Sequence, residues 1–525
     1  MILIVIINIR YGNLFPRSRE NVVKLGWNGL LAGMTVSMML MGCPQEPAPD
    51  GGTGGGNTGG GNTGGGNTGG GGEVGGGGGG ATGGGGGGDA GTTPRDLDVV
   101  VVRLNSNGTF DTTFGDAGIV RIDFGQTTGG GRDTVYGFDK DSAGRMVLFG
   151  STKATGRSDT DRFVARLTTS GALDSSFATG GVHRLDVGNL NDNIRHGFVQ
   201  ADGKIVSSGY TAVPTGALLS DGGIQTANRP VLLRLDSAGV ADATFGDGGV
   251  VSVARFANAV PTMPWGMAEA YGAARQSTGS YVTLGYGRTA SSGPVDLVSF
   301  RYLETGADDP TWAGTGSFIL NLVGGDERGR HVLALADDRI VSVGSGTPLT
   351  GNVDALVMVQ TSAGAADTTF AADGYKTWSF GRSDEAFFGA AVGPGGMALG
   401  AVGYRTGSAN TAAENDDAVL LVLPLSSGGP TEFAQAVPLS TGSHDRFFGV
   451  AWDGNKIIGA GFVREGADTK FAAARFNTNG SLDTTFGTGG IVTINVTEAG
   501  GTEEAARWVV VQADGKIVIA GPAEH

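Results

Sequence analysis

One turn recurs along this chain and restricts it to a repeat architecture. In its full form it reads Asp-x-x-Phe, and its closing aromatic stands at Phe114, Phe177, Phe245, Trp312, Phe370, Phe433 and Phe486, at intervals of 53 to 68 residues. A second signal alternates with it: an apolar stretch, a tight polar turn and another apolar stretch. Ala201-Asp202-Gly203-Lys204-Ile205-Val206 returns as Ala513-Asp514-Gly515-Lys516-Ile517-Val518, and looser versions turn near Gly144, Gly279, Asp338, Gly395 and Gly454. Seven units follow. Roughly 430 residues are too many for one compact core unless that core is divided among repeats.

Each unit is made of short strands. Phe163, Ala165 and Leu167 alternate with Val164 and Arg166, a period of two. Asp-Gly and Asn-Gly between such runs mark hairpins, so each unit supplies two hairpins, or four antiparallel strands. No segment carries a long 3.6-residue period. A four-stranded sheet repeated seven times predicts an all-β fold, a seven-bladed β-propeller spanning residues 96–525. The chain enters it on a second hairpin, residues 97–124, and leaves it on a first hairpin, residues 505–520. Pairing of the two completes the seventh blade and hides both free sheet edges.

Inside the repeats one spacing has a physical explanation. Arg103, Arg166, Arg234, Arg301 and Arg475 stand near a strand end, each eight residues before Asp111, Asp174, Asp242, Asp309 and Asp483. An Asp that opens a turn accepts backbone N–H bonds, and an Arg across the turn pairs with it. The pair reads as a structural clamp that fixes the turn so that its aromatic packs between blades. Gln360 stands in for the Arg in the fifth unit, where Asp367 remains. Pro424 and Pro430 replace both partners in the sixth.

The amino-terminal segment carries a different signal. After Lys24, residues 28–42 form a short uncharged apolar run that ends at Cys43, the single cysteine. That is a secretory pattern, too short to span a bilayer. Leu40-Met41-Gly42-Cys43 resembles the bacterial lipobox, which implies cleavage before Cys43 and acylation of it. Residues 1–42 are thus expected to be a signal segment. Arg10, Arg17 and Arg19 make it longer than such signals need, which places the expected start of translation near Val22 or Val23. Residues 43–95 are expected to be a tether: 27 of the 99 glycines fall in residues 51–90, and a coil of about 40 such residues reaches roughly 35 Å. No Gly-Lys-Ser/Thr follows to make a phosphate loop.

Charge and residue types narrow the partners. With 36 basic and 51 acidic residues the net charge is −15, and no basic cluster follows residue 24, which argues against nucleic acid. One cysteine excludes an intrachain disulfide framework. His183, His196, His331, His444 and His525 lack metal-like spacing, and no Gly-x-Ser-x-Gly elbow occurs. His196 and His444 occupy matching places at the start of an innermost strand, near the channel, and read as structural. Asp326-Glu327, Asp416-Asp417 and Glu503-Glu504 read as solvated loop charge. Variable loops at 209–230, 254–266, 287–295 and 402–417 gather on the face opposite the tight turns, and carry Tyr210, Trp265, Tyr286 and Tyr404 as candidate stacking residues.

The run Asn479-Gly480-Ser481-Leu482-Asp483-Thr484-Thr485-Phe486-Gly487, with Gln512 to Gly521 after it, resembles the delta-60 repeat family of exported bacterial proteins. The likeness is strongest in the first, second and last units. It implies propeller blades and an envelope location, often as a lipoprotein, and no reaction. The expectation is therefore a monomeric outer-membrane lipoprotein, periplasmic or surface-exposed. Its membrane attachment is the lipid on Cys43, it needs no cofactor, and its propeller binds a glycan, a peptide or an envelope protein. The alternatives are a propeller hydrolase or lyase with a central metal, and a purely structural envelope component.

Overall fold

The computed structural model describes residues 96–524 except 125–130, 154–158, 189, 219–221, 254–266, 289–292, 323–324, 349–350, 407–415, 441–442 and 498–502. The signal segment, Cys43, the glycine tether, Trp265 and His525 lie outside the described residues.

Seven four-stranded antiparallel sheets form the blades of a propeller. Blades 2 to 7 are continuous in sequence: 134–185, 192–252, 267–320, 328–378, 384–437 and 445–494. Blade 1 is composite. Its two inner strands, Trp508–Val511 and Ile517–Glu524, come from the chain's end, and its two outer strands, Leu97–Leu104 and Ile119–Ile122, from the start of the propeller. Leu97–Leu104 pairs along its whole length with Ile517–Glu524. Consecutive innermost strands are neighbours around the ring, from Trp508–Val511 to Thr134–Lys140 and so back to Asp445–Asp453.

Burial explains why the strands read as they do. The apolar core is divided into seven clusters, one between each pair of adjacent blades. A middle strand therefore buries both faces, and a run such as Val99-Val100-Val101-Val102 is apolar throughout instead of alternating. Phe114, Phe177, Phe245, Trp312 and Phe486 are fully buried at these interfaces. Each is seated against a turn glycine of the next blade. At Gly171 φ is +98°, and a Cβ there would come within 2.9 Å of the Phe114 ring, so no larger residue fits.

The region 209–230 departs from the sequence expectation. It is not an irregular loop but the outer part of a long hairpin, Ile205–Leu218 with Ile224–Leu235, whose Leu218 and Ile224 are exposed. Tyr210, Tyr286 and Tyr404 likewise sit in strands and are buried. The acidic pairs also differ from expectation: Glu327, Glu504, Asp416 and Asp417 are buried, Asp326 is half-buried and Glu503 is exposed. Glu504 accepts the Val496 N–H at 3.0 Å, and in the same way Asp133 takes Phe124 N–H, Asp192 Val187 N–H and Glu385 Phe380 N–H at 2.6–2.7 Å. A carboxylate at the head of an innermost strand thus pins the incoming connection.

Candidate functional site

The tight turns carry the repeated Arg and Asp. Nε of Arg103, Arg166, Arg234, Arg301 and Arg475 donates to Asp111, Asp174, Asp242, Asp309 and Asp483 at 2.7, 2.8, 2.9, 2.7 and 2.7 Å. Both members are largely buried, and each guanidinium carbon lies 4.5–4.9 Å from the centroid of its own turn's aromatic ring. The sequence did not reveal two further features. Nη1 of each arginine crosses to the next blade and donates to Thr169 O, Ser237 O, Glu304 O, Ser362 O and Ser106 O at 2.5–2.9 Å. Each carboxylate except Asp309 also meets a second cation from the first hairpin: Lys516 at Asp111, Arg145 at Asp174, Lys204 at Asp242 and Lys456 at Asp483. The recurrent Lys204 and Lys516 were the visible trace of this. Burial works against the Asp483 charge, but Lys456, Thr485 and Arg475 outweigh it and hold the carboxyl well below the usual range.

The register corrects two positions. Asp367 N donates to Val359 O as Asp309 N does to Arg301 O, so Val359, not Gln360, takes the arginine's place in blade 5. Gln360 is one residue on, fully buried, and donates to Gly364 O at 2.7 Å. In blade 6 the pairing of Gly403 with Val419 puts Val422, not Pro424, at the arginine's register. Interfaces 5–6 and 6–7 therefore lack the arginine cross-link. Trp378 Nε1 to Glu432 at 3.3 Å and Gln435 Nε2 to Gly480 O at 2.7 Å stand there instead.

The central channel is the second constellation. Innermost strands of blades 2 to 7 each carry a β-bulge, at Val135/Gly137, Ile194/His196, Ala270/Gly272, Gly329/His331, Phe387/Gly389 and Phe447/Gly449. A bulge puts two consecutive side chains toward one side. The extra residues are Tyr136, Arg195, Tyr271, Arg330, Phe388 and Phe448, with Arg507 at the same place in blade 1. They form a collar. Arg195 lies 4.7 Å from the Tyr136 centroid and 4.9 Å from that of Tyr271; Arg330 lies 4.9 Å from Tyr271 and 5.0 Å from Phe388; Arg507 lies 4.3 Å from Phe448. Tyr210, Tyr286 and Tyr404 back the collar, under Arg195, Arg328 and Arg446.

The next residue in each blade forms a floor. Blades with an aromatic collar residue have glycine there: Gly137, Gly272, Gly389 and Gly449. Blades with arginine have His196, His331 and Trp508, and these three rings meet with centroids 4.7, 5.2 and 4.9 Å apart. The glycines make room: a Cβ on Gly449 would come within 2.7 Å of the Trp508 backbone. His331, not His444, is thus the partner of His196, with Nε2 atoms 3.2 Å apart. His444 lies beside Asp416 at 3.4 Å, and His183 Nδ1 is 3.0 Å from Gly239 O. Ala390 N–H donates to His331 Nδ1, which leaves the His331 proton on Nε2, aimed at His196. On the turn side of the floor a cavity of about 560 Å³ has Phe138, Leu333, Val392 and Val510 in its wall and Gln200, Arg275 and Gln276 at its rim.

Burial pushes the His196 imidazole down to about 4, and burial with the neighbouring His196 holds His331 well below its usual value. Folded values below the unfolded ones mean that this contribution is complete above about pH 6.5 and is lost as pH falls toward 4. Buried carboxylates act oppositely. Asp133 is raised to about 6, and Glu327, Asp384 and Asp445 to about 7, chiefly by burial, so their contribution is lost as pH rises from about 4 through 7. The histidine part is isolated by substitution. His196→Gln with His331→Gln should flatten the acid side of the stability–pH curve between pH 6.5 and 4, measured by urea unfolding, relative to the unsubstituted protein. An unchanged acid slope would show that the pair does not titrate in the fold.

Two carboxylate groups have the spacing to hold a cation: Asp96, Asp98 and Asp123, and Asp161, Asp186 and Asp192. Asp98 and Asp123 of blade 1 match Asp161 and Asp186 of blade 2, whereas Asp96 precedes blade 1 and Asp192 opens blade 3. No helix of the described residues is long and apolar enough to cross a membrane.

No curated protein matches the chain. Among solved structures it is similar to virginiamycin B lyase from Staphylococcus aureus, with 10% identity over 81% of this chain and 99% of that one and a TM-score of 0.37. It is also similar to Sqt1 from Chaetomium thermophilum, with 12% identity over 75% and 96% and a TM-score of 0.33. A protein of unknown function from Dyadobacter fermentans matches at 11% identity over 75% and 94%, with a TM-score of 0.33. These likenesses concern the fold alone. Residues 95–114, 144–177 and 453–486, in the first, second and last units, match the family described as "Domain of unknown function (DUF5122) beta-propeller", and the chain is a repeat-type β-propeller that carries this family's signature in those three units.

Proposed function

We propose that the chain is an exported lipoprotein of the cell envelope whose propeller is a binding module, and that its ligand enters the central channel from the face opposite the tight turns. The observation that carries this reading is the collar. Six strand bulges and the matching place in blade 1 bring three arginines and four aromatic rings toward one axis.

Cys43 and the glycine tract would hold the module to a membrane while leaving it free to search. Replacing Cys43 by Ala should move the protein from the membrane fraction to the soluble fraction. If it stays with the membrane, the lipid attachment is wrong. Binding itself is tested by a glycan and peptide array probed with the Cys43→Ala protein, alongside Arg330→Gln at the collar and Arg275→Gln at the opposite rim. Signal lost with the first and kept with the second supports the channel mouth; the reverse pattern rejects it.

A further inference from the structure

The arginines of the collar are not spread evenly among the blades. They come from blades 1, 3 and 5, so that walking round the seven-membered ring the steps between them are two, two and three blades. This is as close to threefold symmetry as a seven-bladed ring allows. The same three blades supply His196, His331 and Trp508, whose contact on the axis closes the channel directly beneath. Three guanidinium groups therefore stand around an axis above an aromatic floor.

The rings between them strengthen the field. Tyr271 has a guanidinium 4.9 Å from its centroid on account of both Arg195 and Arg330, and Phe388 has Arg330 at 5.0 Å. A ring whose face is occupied by a cation presents its edge elsewhere, and the edge is the positive side of an aromatic quadrupole.

Two groups have donors to spare. Arg330 donates no hydrogen bond among the described residues, and its Nε is shut away from solvent. His196 is 8% exposed, and its Nδ1 is buried without a hydrogen-bond partner. Because His331 Nε2–H points at His196 Nε2, the His196 proton is on Nδ1, and that atom is a donor. A buried donor left unpaired costs about 1–3 kcal/mol, which an acceptor entering from the channel would recover. Glu269 feels the charge of Arg195, and Asp384 that of Arg330, while burial raises both carboxyls.

We propose that the collar binds a tetrahedral oxyanion, the sulfate or phosphate monoester at the end of a ligand. This rests on the reading of the channel mouth as the binding site. A monoester group has three terminal oxygens related by a threefold axis, one for each of Arg195, Arg330 and Arg507. Its bridging oxygen lies on that axis and points out through the mouth, so the rest of the ligand can be of any length. Guanidinium forks match such oxygens bidentately. A planar carboxylate offers two oxygens and meets two of the three.

The test uses the full-length Cys43→Ala protein and isothermal titration with glucose 6-sulfate, glucose 6-phosphate, glucuronate and glucose. The two esters should bind, glucuronate at least tenfold more weakly, and glucose not at all. Arg330→Gln should weaken ester binding at least tenfold, Arg330→Lys less, and Arg275→Gln not at all; thermal unfolding of each variant checks that it is folded. Sulfate against phosphate ester then tells which source of the oxyanion the collar prefers. Equal binding of glucuronate or glucose, ester affinity unmoved by Arg330→Gln, or no binding of either ester would overturn the oxyanion. A peptide or neutral glycan that binds and is lost with Arg330→Gln would overturn it too, while leaving the channel-mouth reading in place. Ligand binding insensitive to Arg330→Gln but sensitive to Arg275→Gln would reject both.

Discussion

Removing the last fifteen residues, 511–525, should abolish cooperative folding of the propeller, whereas removing residues 51–90 should leave its thermal midpoint unchanged. The first deletion takes away Ile517–Glu524, which lies between two other strands of blade 1. Ile517, Val518 and Ile519 are fully buried there, between the cores that blade 1 shares with blades 2 and 7. At about 1.5–3 kcal/mol for each such side chain, these three alone account for roughly 5–9 kcal/mol. Total stabilities are commonly about 5–15 kcal/mol. Leu97–Leu104 would also lose the partner of its whole length and expose a long apolar edge. Circular dichroism and calorimetry of the two deletions decide the matter. A cooperative transition in the 511–525 deletion within a few degrees of the intact protein would mean that blade 1 does not close the ring.

A second large effect is expected at the Arg–Asp clamp of blade 7. Asp483→Ala should destabilise by about 2–4 kcal/mol, and Arg475→Ala by at least as much. The range is lower than for an isolated buried pair, because Arg475 keeps Ser106 O at 2.6 Å and Asp453 at 3.0 Å when Asp483 is lost. Loss of Arg475 is the more damaging change, since it also cuts the bond from blade 7 to Ser106 O of blade 1. The double change should cost less than the sum of the two singles, by about 1 kcal/mol or more. Denaturant titration of the four proteins measures this directly. Additive losses would show that the two side chains act independently and that their regular spacing reflects strand and turn length alone.

What was legible in the sequence was local. Asp483 and Phe486 lie within one turn, so their spacing survives in every unit whose turn survives. The end-to-end phase of the hairpins gave the closure, because 97–124 and 505–520 are each half of a unit that is otherwise complete. What was not legible was anything that joins one unit to the next. Arg475 donates to Ser106, 369 residues away, and no pattern in either turn marks the bond. The collar takes one residue from each of seven distant segments. Bulges also hid it, because a strict period of two assigns Arg195 and His196 to opposite faces when both approach the axis. The arginine's register is set by strand pairing, which puts Val359 and Val422 where the sequence pointed to Gln360 and Pro424. Tyr210 and Tyr286 were taken for loop residues because strands Ile205–Leu218 and Tyr281–Arg288 run further than the hairpin signals showed.

On the turn face, arginine cross-links join blades 7 to 1, 1 to 2, 2 to 3, 3 to 4 and 4 to 5, while on the opposite face Arg446 of blade 7 holds Asp416 of blade 6 at 2.6 Å. Five of the seven seams are riveted on the turn face; the two that flank blade 6 are not. The seam that holds the chain's two ends is therefore among the strongest, and the ring's compliance is concentrated in the middle of the polypeptide. Breathing of such a ring on its turn face would begin at those two seams, with blade 6 still tied to blade 7 on the opposite face by Arg446 and Asp416.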